Sequence, residues 1–513
     1  MIYDYQMPKQ PTEQEKVGFF IKRLREQRSM TQAEFAKALN TSQSAVARME
    51  RGGQNLTVDQ LAKIGDVLDR KIMSLSDDSV DFQIEGGHEL SGTIETHFSK
   101  NGAVALIPAA LLNRSQTTLH GIPRIEEVHR EIELMKSIGV DIKWVGPNSL
   151  EITPPKEFSM DKIDAEAARK IRVSLYLFGA LGKRLKSFKL PHSGGCKMGK
   201  RTTKAHAAGF ADLGLKIHTT DTDYEVSHTK LAGTELTMYE SSDMATINVL
   251  LLAAQIPEET TIHFAQANYM VQDVCFFLEK LGVTIVGVGT STLKITGLEK
   301  ISKPLTYTNS EDPIESMMWI SAAVTTKSKL TITRCPIAFL RREMITLKDM
   351  GLKYTMSKKY FSYNERTELV DITVFPSKLV APDEKIHAVP YPGINSDNLP
   401  FFVPIATQAE GTTLIHDWMW ENRAIYFTEL NRLGAQVTLA DPHRAFITGP
   451  TKMKGAQVVC PPALRPATII LIAMLAAQGT STLRNVYSIK RGYEEIAERL
   501  NSIGAKIKVL KGI

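Results

Sequence analysis

The segment Leu190-Pro191-His192-Ser193-Gly194-Gly195-Cys196-Lys197-Met198-Gly199-Lys200-Arg201 sets one cysteine among three cations and three glycines. Neighbouring positive charge favours thiolate over thiol and so lowers a cysteine pKa. The same cations attract phosphate, and the flanking glycines let a loop open and close. Cys196 therefore reads as a reactive thiol beside an anionic ligand. Cys275, on the apolar face of Val274-Cys275-Phe276-Phe277-Leu278, and Cys335, just after a strand, read as packing residues. Cys460 completes the set, and the chain has no CxxC pair and no nearby Cys/His quartet. That pattern argues against a disulfide framework and a structural zinc site, so no metal or cofactor is expected.

Three other groups of side chains could act beside that thiol. Ser396-Asp397, ahead of an apolar run, supplies a carboxylate that can cap a helix, accept a proton, or do both. Lys100-Asn101-Gly102-Ala103 places a cation and an amide directly after the first strand region. Arg172, Arg423, Arg465 and Arg491 offer planar forks suited to phosphate and carboxylate.

These residues lie far apart in a chain of 513 residues, too long for one hydrophobic core, since cores stop growing near ~250–300 residues. What positions them is a repeat. The pattern of an amphipathic helix followed by hydrophobic-Gly-x-x-hydrophobic recurs six times, at Ile138-Gly139, Leu213-Gly214, Leu281-Gly282, Met350-Gly351, Leu433-Gly434 and Ile503-Gly504. Glycine adopts the left-handed conformation without steric cost, so it ends each helix and turns the chain into a strand. A second, apolar helix recurs before a β-branched strand, as in Val249 to Ala254 before Thr260-Thr261-Ile262, and in Ile469 to Ala477 before Gly479 to Leu483. Each unit is too small to close a core alone, so the units must pack together.

Before the repeats, residues 11–75 read as four short amphipathic helices, with Phe20, Leu24, Phe35, Leu39, Val46, Met49, Leu61, Ile64 and Leu68 as their core. Thr31 and Glu34 have capping-box spacing, and Ser42 to Gly52 forms the following helix. Residues 76–80 form a linker rich in turn formers. Hydrophobic residues at 43% and charged residues at 23% are ordinary for a soluble globular protein. A net charge of +6 suits anionic small molecules or nucleic acid. Met1-Ile2-Tyr3-Asp4-Tyr5 does not read as a secretory signal, and the apolar stretch Ala467 to Ala477 is well short of the ~20 residues that span a bilayer. A cytoplasmic protein with no membrane partner is expected.

The T-Q-x-x-F-A and S-Q-S-x-V series across residues 31–46 resembles the helix-turn-helix of phage repressor and Cro-type regulators. That resemblance implies DNA as a partner, met by Gln32, Gln43, Ser44 and Arg48, with the second helix of the motif in the major groove. One such domain reads a half-site, so a homodimer is implied. The same four-helix fold also serves as a protein-binding module.

The six repeats, the Cys196 loop, Lys100-Asn101, Tyr391-Pro392-Gly393-Ile394-Asn395-Ser396-Asp397 and the four arginines together resemble the enolpyruvyl transferases that act on UDP-sugars. The fold so implied is α/β, a two-domain inside-out barrel of six repeated units, preceded here by the all-α module. Domain I would take residues 81–99 and 308–513, and domain II residues 100–307. The chemistry implied is transfer of the enolpyruvyl group of phosphoenolpyruvate to a hydroxyl of a UDP-sugar. Asp397 would be the base, Cys196 the proton donor and Lys100 a phosphoenolpyruvate contact. Asn101, Arg172, Arg201, His206, Arg423, Arg465 and Arg491 would bind the substrates.

Several departures bear on the acceptor. Thr202 stands where the family has proline, the loop is two residues longer at His192-Ser193, and Ala463 replaces an acidic residue two before Arg465. Glu240-Ser241-Ser242-Asp243-Met244 replaces the family's Ser-Val-Gly nucleotide turn. Two rival expectations follow, another nucleotide-like acceptor, or a transcriptional regulator that uses the enzyme fold as its ligand sensor.

Overall fold

The computed structural model describes residues 13–27, 30–54, 56–68, 80–194 and 202–511. Contacts divide the chain into a small unit before residue 80 and a large one spanning Val80–Leu510.

The small unit consists of helices α1 (Glu13–Gln27), α2 (Gln32–Leu39), α3 (Gln43–Glu50) and α4 (Val58–Val67). The Thr31 side chain accepts from Glu34 N while Glu34 accepts from Thr31 N at 2.7 Å, so the capping box forms as its spacing predicts. Asn40 at φ 55° ends α2, and Ser42 Oγ caps α3 by accepting from Ala45 N at 3.2 Å. The core is Ile21, Leu24, Phe35, Ala36, Leu39, Val46, Met49, Ile64 and Leu68. One expected member fails: Phe20 is 42% exposed and Ile21 takes its place. The phase of α1 explains this, because Gly18 and Ile21 lie three apart on the inward face. A Cβ on Gly18 would sit 2.4 Å from Met49 O, so α1 and α3 approach too closely for any side chain there.

In the large unit all six repeat glycines stop a helix in the left-handed region, with φ of 94°, 90°, 101°, 97°, 89° and 102° at Gly139, Gly214, Gly282, Gly351, Gly434 and Gly504. Five of them feed an antiparallel strand pair, for example Asp141–Gly146 with Ser149–Thr153, and Gly504 feeds Lys506–Lys511, which lies beside Val80–Gly86. Six sheets result. Three draw on strands within 80–95 and 330–511, and three on strands within 117–308. Val80–Gly86 pairs antiparallel with Gly479–Arg484 from the C-terminal part of the chain, Phe82 opposite Leu483. Leu305–Thr308 runs parallel to Thr117–His120.

Under the sheets lie helices that are apolar all round, the pattern of an element enclosed on every side. All residues of Pro313–Thr325 are buried, and nearly all of Asp243–Ala253 and Leu464–Ala476. Strands such as Val80–Gly86 bury alternate residues, which leaves each sheet one covered face and one open face. Cys275, Cys335 and Cys460 are buried, and burial pushes the thiols of Cys335 and Cys460 up to about 12. Among the described residues no helix is long and apolar enough to cross a membrane.

Candidate active site

Asp397 is the centre of the site. It sits in the turn after the Tyr391–Pro392 peptide, just ahead of the helical segment Leu399–Ala406. The turn is held from inside: Glu343 Oε1 accepts from Asn395 N at 3.0 Å and from Asn398 Nδ2 at 2.8 Å. Asn395 Oδ1 in turn accepts from Asp397 N at 2.8 Å.

Two guanidiniums face the Asp397 carboxylate. Arg465, on the first turn of the buried helix Leu464–Ala476, donates from Nη2 to Oδ2 at 3.2 Å. Its Nη1 donates to Tyr493 OH at 2.7 Å, which fixes the fork. Arg423 Nη1 lies 3.8 Å from Asp397 Oδ1. Arg423 is wholly buried, clamped by Asp417 at 2.5 and 2.8 Å and by Ser396 O at 2.7 Å. Its Nη1 makes no hydrogen bond and is enclosed, a donor turned toward the site. Burial pushes Asp397 upward, but Arg465, Arg423 and Lys100 outweigh it and hold the carboxyl below its usual range. The group is thus an ionised carboxylate, held in place at neutral pH.

Lys100 begins the helix Lys100–Ala109, whose cap is Ser99, and is not in a loop. It pairs with Glu127 at 2.6 Å. Beside it Asn101 Nδ2 donates to Tyr269 OH at 2.9 Å. Asp312, the cap of Pro313–Thr325, completes the charge cluster: burial raises it to about 6 while Arg465 opposes the rise. Arg491 is half-buried in a turn, beside Gly492, whose Cβ would meet Leu464 at 2.1 Å. That close approach sets the turn against the residue preceding Arg465.

Arg172 and His206 form a separate group. Arg172 Nη2 donates to Thr202 O at 3.2 Å, next to the cysteine loop. His206 is 3% exposed, takes a 3.0 Å hydrogen bond with Asn248, and is held neutral by burial and by Arg172, its pKa near 3. It therefore underlies the surface rather than lining it. Cys196 and Arg201 lie outside the described residues.

In the small unit Gln43, Ser44 and Arg48 are exposed on α3. Gln32 is not free in the same way: its amide donates to Glu50 at 2.7 Å, and Glu50 is paired with buried Arg25 at 2.5 Å. The sequence reading missed Asp417, Glu127, Asp312, Tyr269, Tyr493, Asn268 and Glu343. Only Asp312 left a signal, since Asp-Pro marks a helix start.

Comparison with known proteins follows the same division. The EPSP synthase (3-phosphoshikimate 1-carboxyvinyltransferase) family matches residues 84–500, and a helix-turn-helix family matches residues 21–74. The chain is similar to the UDP-N-acetylglucosamine 1-carboxyvinyltransferase of Bradyrhizobium diazoefficiens, at 36% identity over 84% of this chain and 98% of that protein. That of Treponema denticola is 32% identical over 84% and 99% of the two chains. Among solved structures, the enolpyruvyl transferase NikO from Streptomyces tendae superposes with a TM-score of 0.72 at 25% identity, over 85% of this chain and all 100% of that one. An EPSP synthase from Acinetobacter baumannii, 17% identical over 84% of this chain and 100% of its own, shares the fold with a TM-score of 0.64. The chain belongs to the EPSP synthase family of carboxyvinyl transferases and carries a helix-turn-helix domain ahead of it.

Proposed function

We propose that the protein transfers the enolpyruvyl group of phosphoenolpyruvate to a hydroxyl of a UDP-sugar, the 3-hydroxyl of UDP-N-acetylglucosamine first among them, in early peptidoglycan precursor synthesis in the cytoplasm. The observation that carries this reading is the ionised Asp397 between Arg465 and Arg423, with Lys100 adding its charge. Asp397 takes the acceptor proton as the acceptor oxygen bonds to C2 of phosphoenolpyruvate, and Cys196 delivers a proton to the C3 methylene. The adduct then loses a C3 proton and phosphate, which restores the double bond. Lys100, Arg423, Arg465, Arg491 and Arg201 hold the phosphate and carboxylate, each a charge-assisted contact. Asn101 contacts the sugar, while Arg172, with His206 beneath it, lies toward the nucleotide. In this reading domain I (81–99, 308–513) would contribute Asp397, Arg423, Arg465 and Arg491, and domain II (100–307) would contribute Lys100, Asn101, Arg172, Cys196, Arg201 and His206. Phosphate release from phosphoenolpyruvate with a panel of UDP-sugars tests the reading, and release that needs no acceptor would defeat it.

A second role rests on the exposed side chains of α3. Gln43, Ser44 and Arg48 would meet DNA in a dimer, and the transferase unit would then report ligand to the DNA-binding domain. Acceptor-dependent DNA affinity without phosphate release would favour this regulator reading over the enzyme.

A further inference from the structure

We propose that Asn364 is a positioning residue for the reaction: through Asp273 it fixes the first turn of the helix that presents Lys100 and Asn101. The inference rests on the transferase reading for the task of Lys100, but Asn364 and Asp273 have no part in that reading.

The hairpin that carries Asn364 is longer than its counterparts. After the other repeat glycines the strands reverse between Gly146 and Ser149, Thr219 and Asp223, Val286 and Thr292, and Leu439 and Arg444. After Gly351 the chain instead runs past Met356 out to Phe361 and returns at Glu368, with Tyr360 and Phe361 paired to Leu369 and Glu368. The tip is closed from within. Ser362 N donates to Thr367 O at 2.9 Å, and Asn364 Oδ1 accepts from Arg366 N and Thr367 N, both at 3.0 Å. With the amide oxygen so engaged its nitrogen is fixed, and Nδ2 donates to Thr367 Oγ1 at 2.9 Å and to Asp273 Oδ1 at 3.2 Å.

That last bond joins different parts of the large unit. The hairpin belongs to the sheets of 80–95 and 330–511, whereas Asp273 lies on the helix Tyr269–Lys280, between strands of the other three sheets. Arg366 adds to the seat, donating to Glu279 Oε2 at 2.7 Å and lying over the Phe276 ring at 4.3 Å. Asn364 and Asp273 are 3% and 1% exposed, so water does not stand in for either partner.

Asp273 passes the contact on to Lys100. Its Oδ1 also accepts from Tyr307 OH at 2.5 Å, and its Oδ2 accepts from Ser310 N at 3.1 Å. Ser310 O accepts at 2.7 Å from the N–H of Ser99, the cap of the helix Lys100–Ala109. That helix presses on the same carboxyl: a Cβ on Gly102 would sit 3.2 Å from Asp273 Oδ2 and 2.4 Å from Asn309 Oδ1. Tyr269, the first residue of the Asp273 helix, takes the Asn101 amide at 2.9 Å. Lys100 and Asn101 thus stand on one helix start whose depth Asp273 sets, and Asn364 holds Asp273. Burial pushes Asp273 up to about 6, and hydrogen bonds from Tyr307, Ser310 and Asn364 oppose that rise. Removing one donor leaves a dry carboxyl short of a partner beside the Lys100 helix.

The test uses the full chain and reads the dissociation constant of phosphoenolpyruvate by titration calorimetry. The proteins are wild type, Asn364→Asp, Lys100→Ala, the combination of those two, and the exchanged pair Asn364→Asp with Asp273→Asn. Asn364→Asp keeps the oxygens that close the turn and removes the donor to Asp273. Residues that act through one another are non-additive, so Asn364→Asp should weaken binding about fivefold or more beside Lys100 and by less than about twofold beside Lys100→Ala. The exchanged pair restores a donor and an acceptor across the contact and should bind within about threefold of wild type. Equal factors in the two backgrounds are what a merely structural role gives, and they overturn the proposal. So do an unchanged constant in Asn364→Asp, an exchanged pair that recovers nothing, and a wild type that binds no phosphoenolpyruvate. Where Asn364→Asp fails to fold, or Lys100→Ala binds too weakly to titrate, the exchanged pair decides by the same threefold limit. Acceptor-dependent phosphate release by the wild type is measured alongside. Its absence with non-additive factors defeats the transferase reading and leaves Asn364 standing, and its presence with equal factors defeats Asn364 alone.

Discussion

Replacing Arg465 by glutamine should move the acid limb of the reaction upward. Arg465 donates to Asp397 at 3.2 Å, and the two side chains are 7% and 27% exposed. A hydrogen bond to a charged group contributes about 1.5–3 kcal/mol, and one pKa unit corresponds to about 1.4 kcal/mol. Solvent around the partly exposed carboxylate screens part of this, so the lower end applies and Asp397 should rise by about one unit. The sign follows from the direction of the shift. Asp397 is depressed in the folded protein, so its stabilising contribution is present above the unfolded carboxylate pKa and is lost as pH falls through the folded value. In Arg465→Gln both the loss of activity and the loss of that stability should begin at higher pH than in the wild type. The assay is kcat/KM for the acceptor at saturating phosphoenolpyruvate, followed from pH 8 down to below the ordinary aspartate pKa of about 3.9 so that the wild-type limb is reached. Asp312 also senses Arg465, so Asp312→Asn is made in both backgrounds, where the shift should persist. An acid limb that stays in place, moves down, or vanishes with Asp312→Asn would refute the assignment of Asp397 as base.

Fosfomycin should form one covalent adduct, at Cys196, and peptide mapping should find Cys275, Cys335 and Cys460 unmodified, since all three are buried. A spread over several cysteines would remove the basis for a reactive loop. Gln43→Ala in the helix-turn-helix domain should reduce sequence preference more than overall DNA affinity, as base contacts specify while phosphate contacts position. Selection experiments that enrich no sequence with the wild type would point instead to a protein partner. Glu131 is wholly buried, neither carboxyl oxygen has a partner, and desolvation, aided by Glu127, raises its pKa well above normal. A raised carboxyl loses stability as pH climbs past the unfolded value. Glu131→Gln should therefore raise Tm more at pH 8 than at pH 4, and an equal gain at both would show that its charge state is not the cause.

The elements were legible because their signals are local. The six glycines and the Thr31–Glu34 capping box depend on neighbours within one turn and formed as the sequence implies, while the apolar helix read at 469–477 forms over Leu464–Ala476, starting earlier than its apolar run. Phe20 misled because adjacent Phe19, Phe20 and Ile21 fit more than one helix phase, and only the close approach of Gly18 to α3 decides among them. The arginines could be named, but their electrostatics could not. Asp417, six residues before Arg423, reads as a loop residue until the fold closes its carboxylate on the guanidinium. Glu343, Asn395, Asn268 and Asp243, joined by hydrogen bonds, are scattered over residues 243–395 with no periodicity, so no pattern announces them.

The most direct test of the enzyme reading is phosphate release from phosphoenolpyruvate by the full chain, with and without UDP-N-acetylglucosamine, for the wild type and Asp397→Asn. A positioned base contributes ~10²–10⁴-fold, so the wild type should release phosphate only with acceptor present, and Asp397→Asn should be slower by roughly a hundredfold or more while still binding the UDP-sugar. Wild-type protein that binds the UDP-sugar and releases no phosphate, or an Asp397→Asn variant as fast as the wild type, would contradict the account.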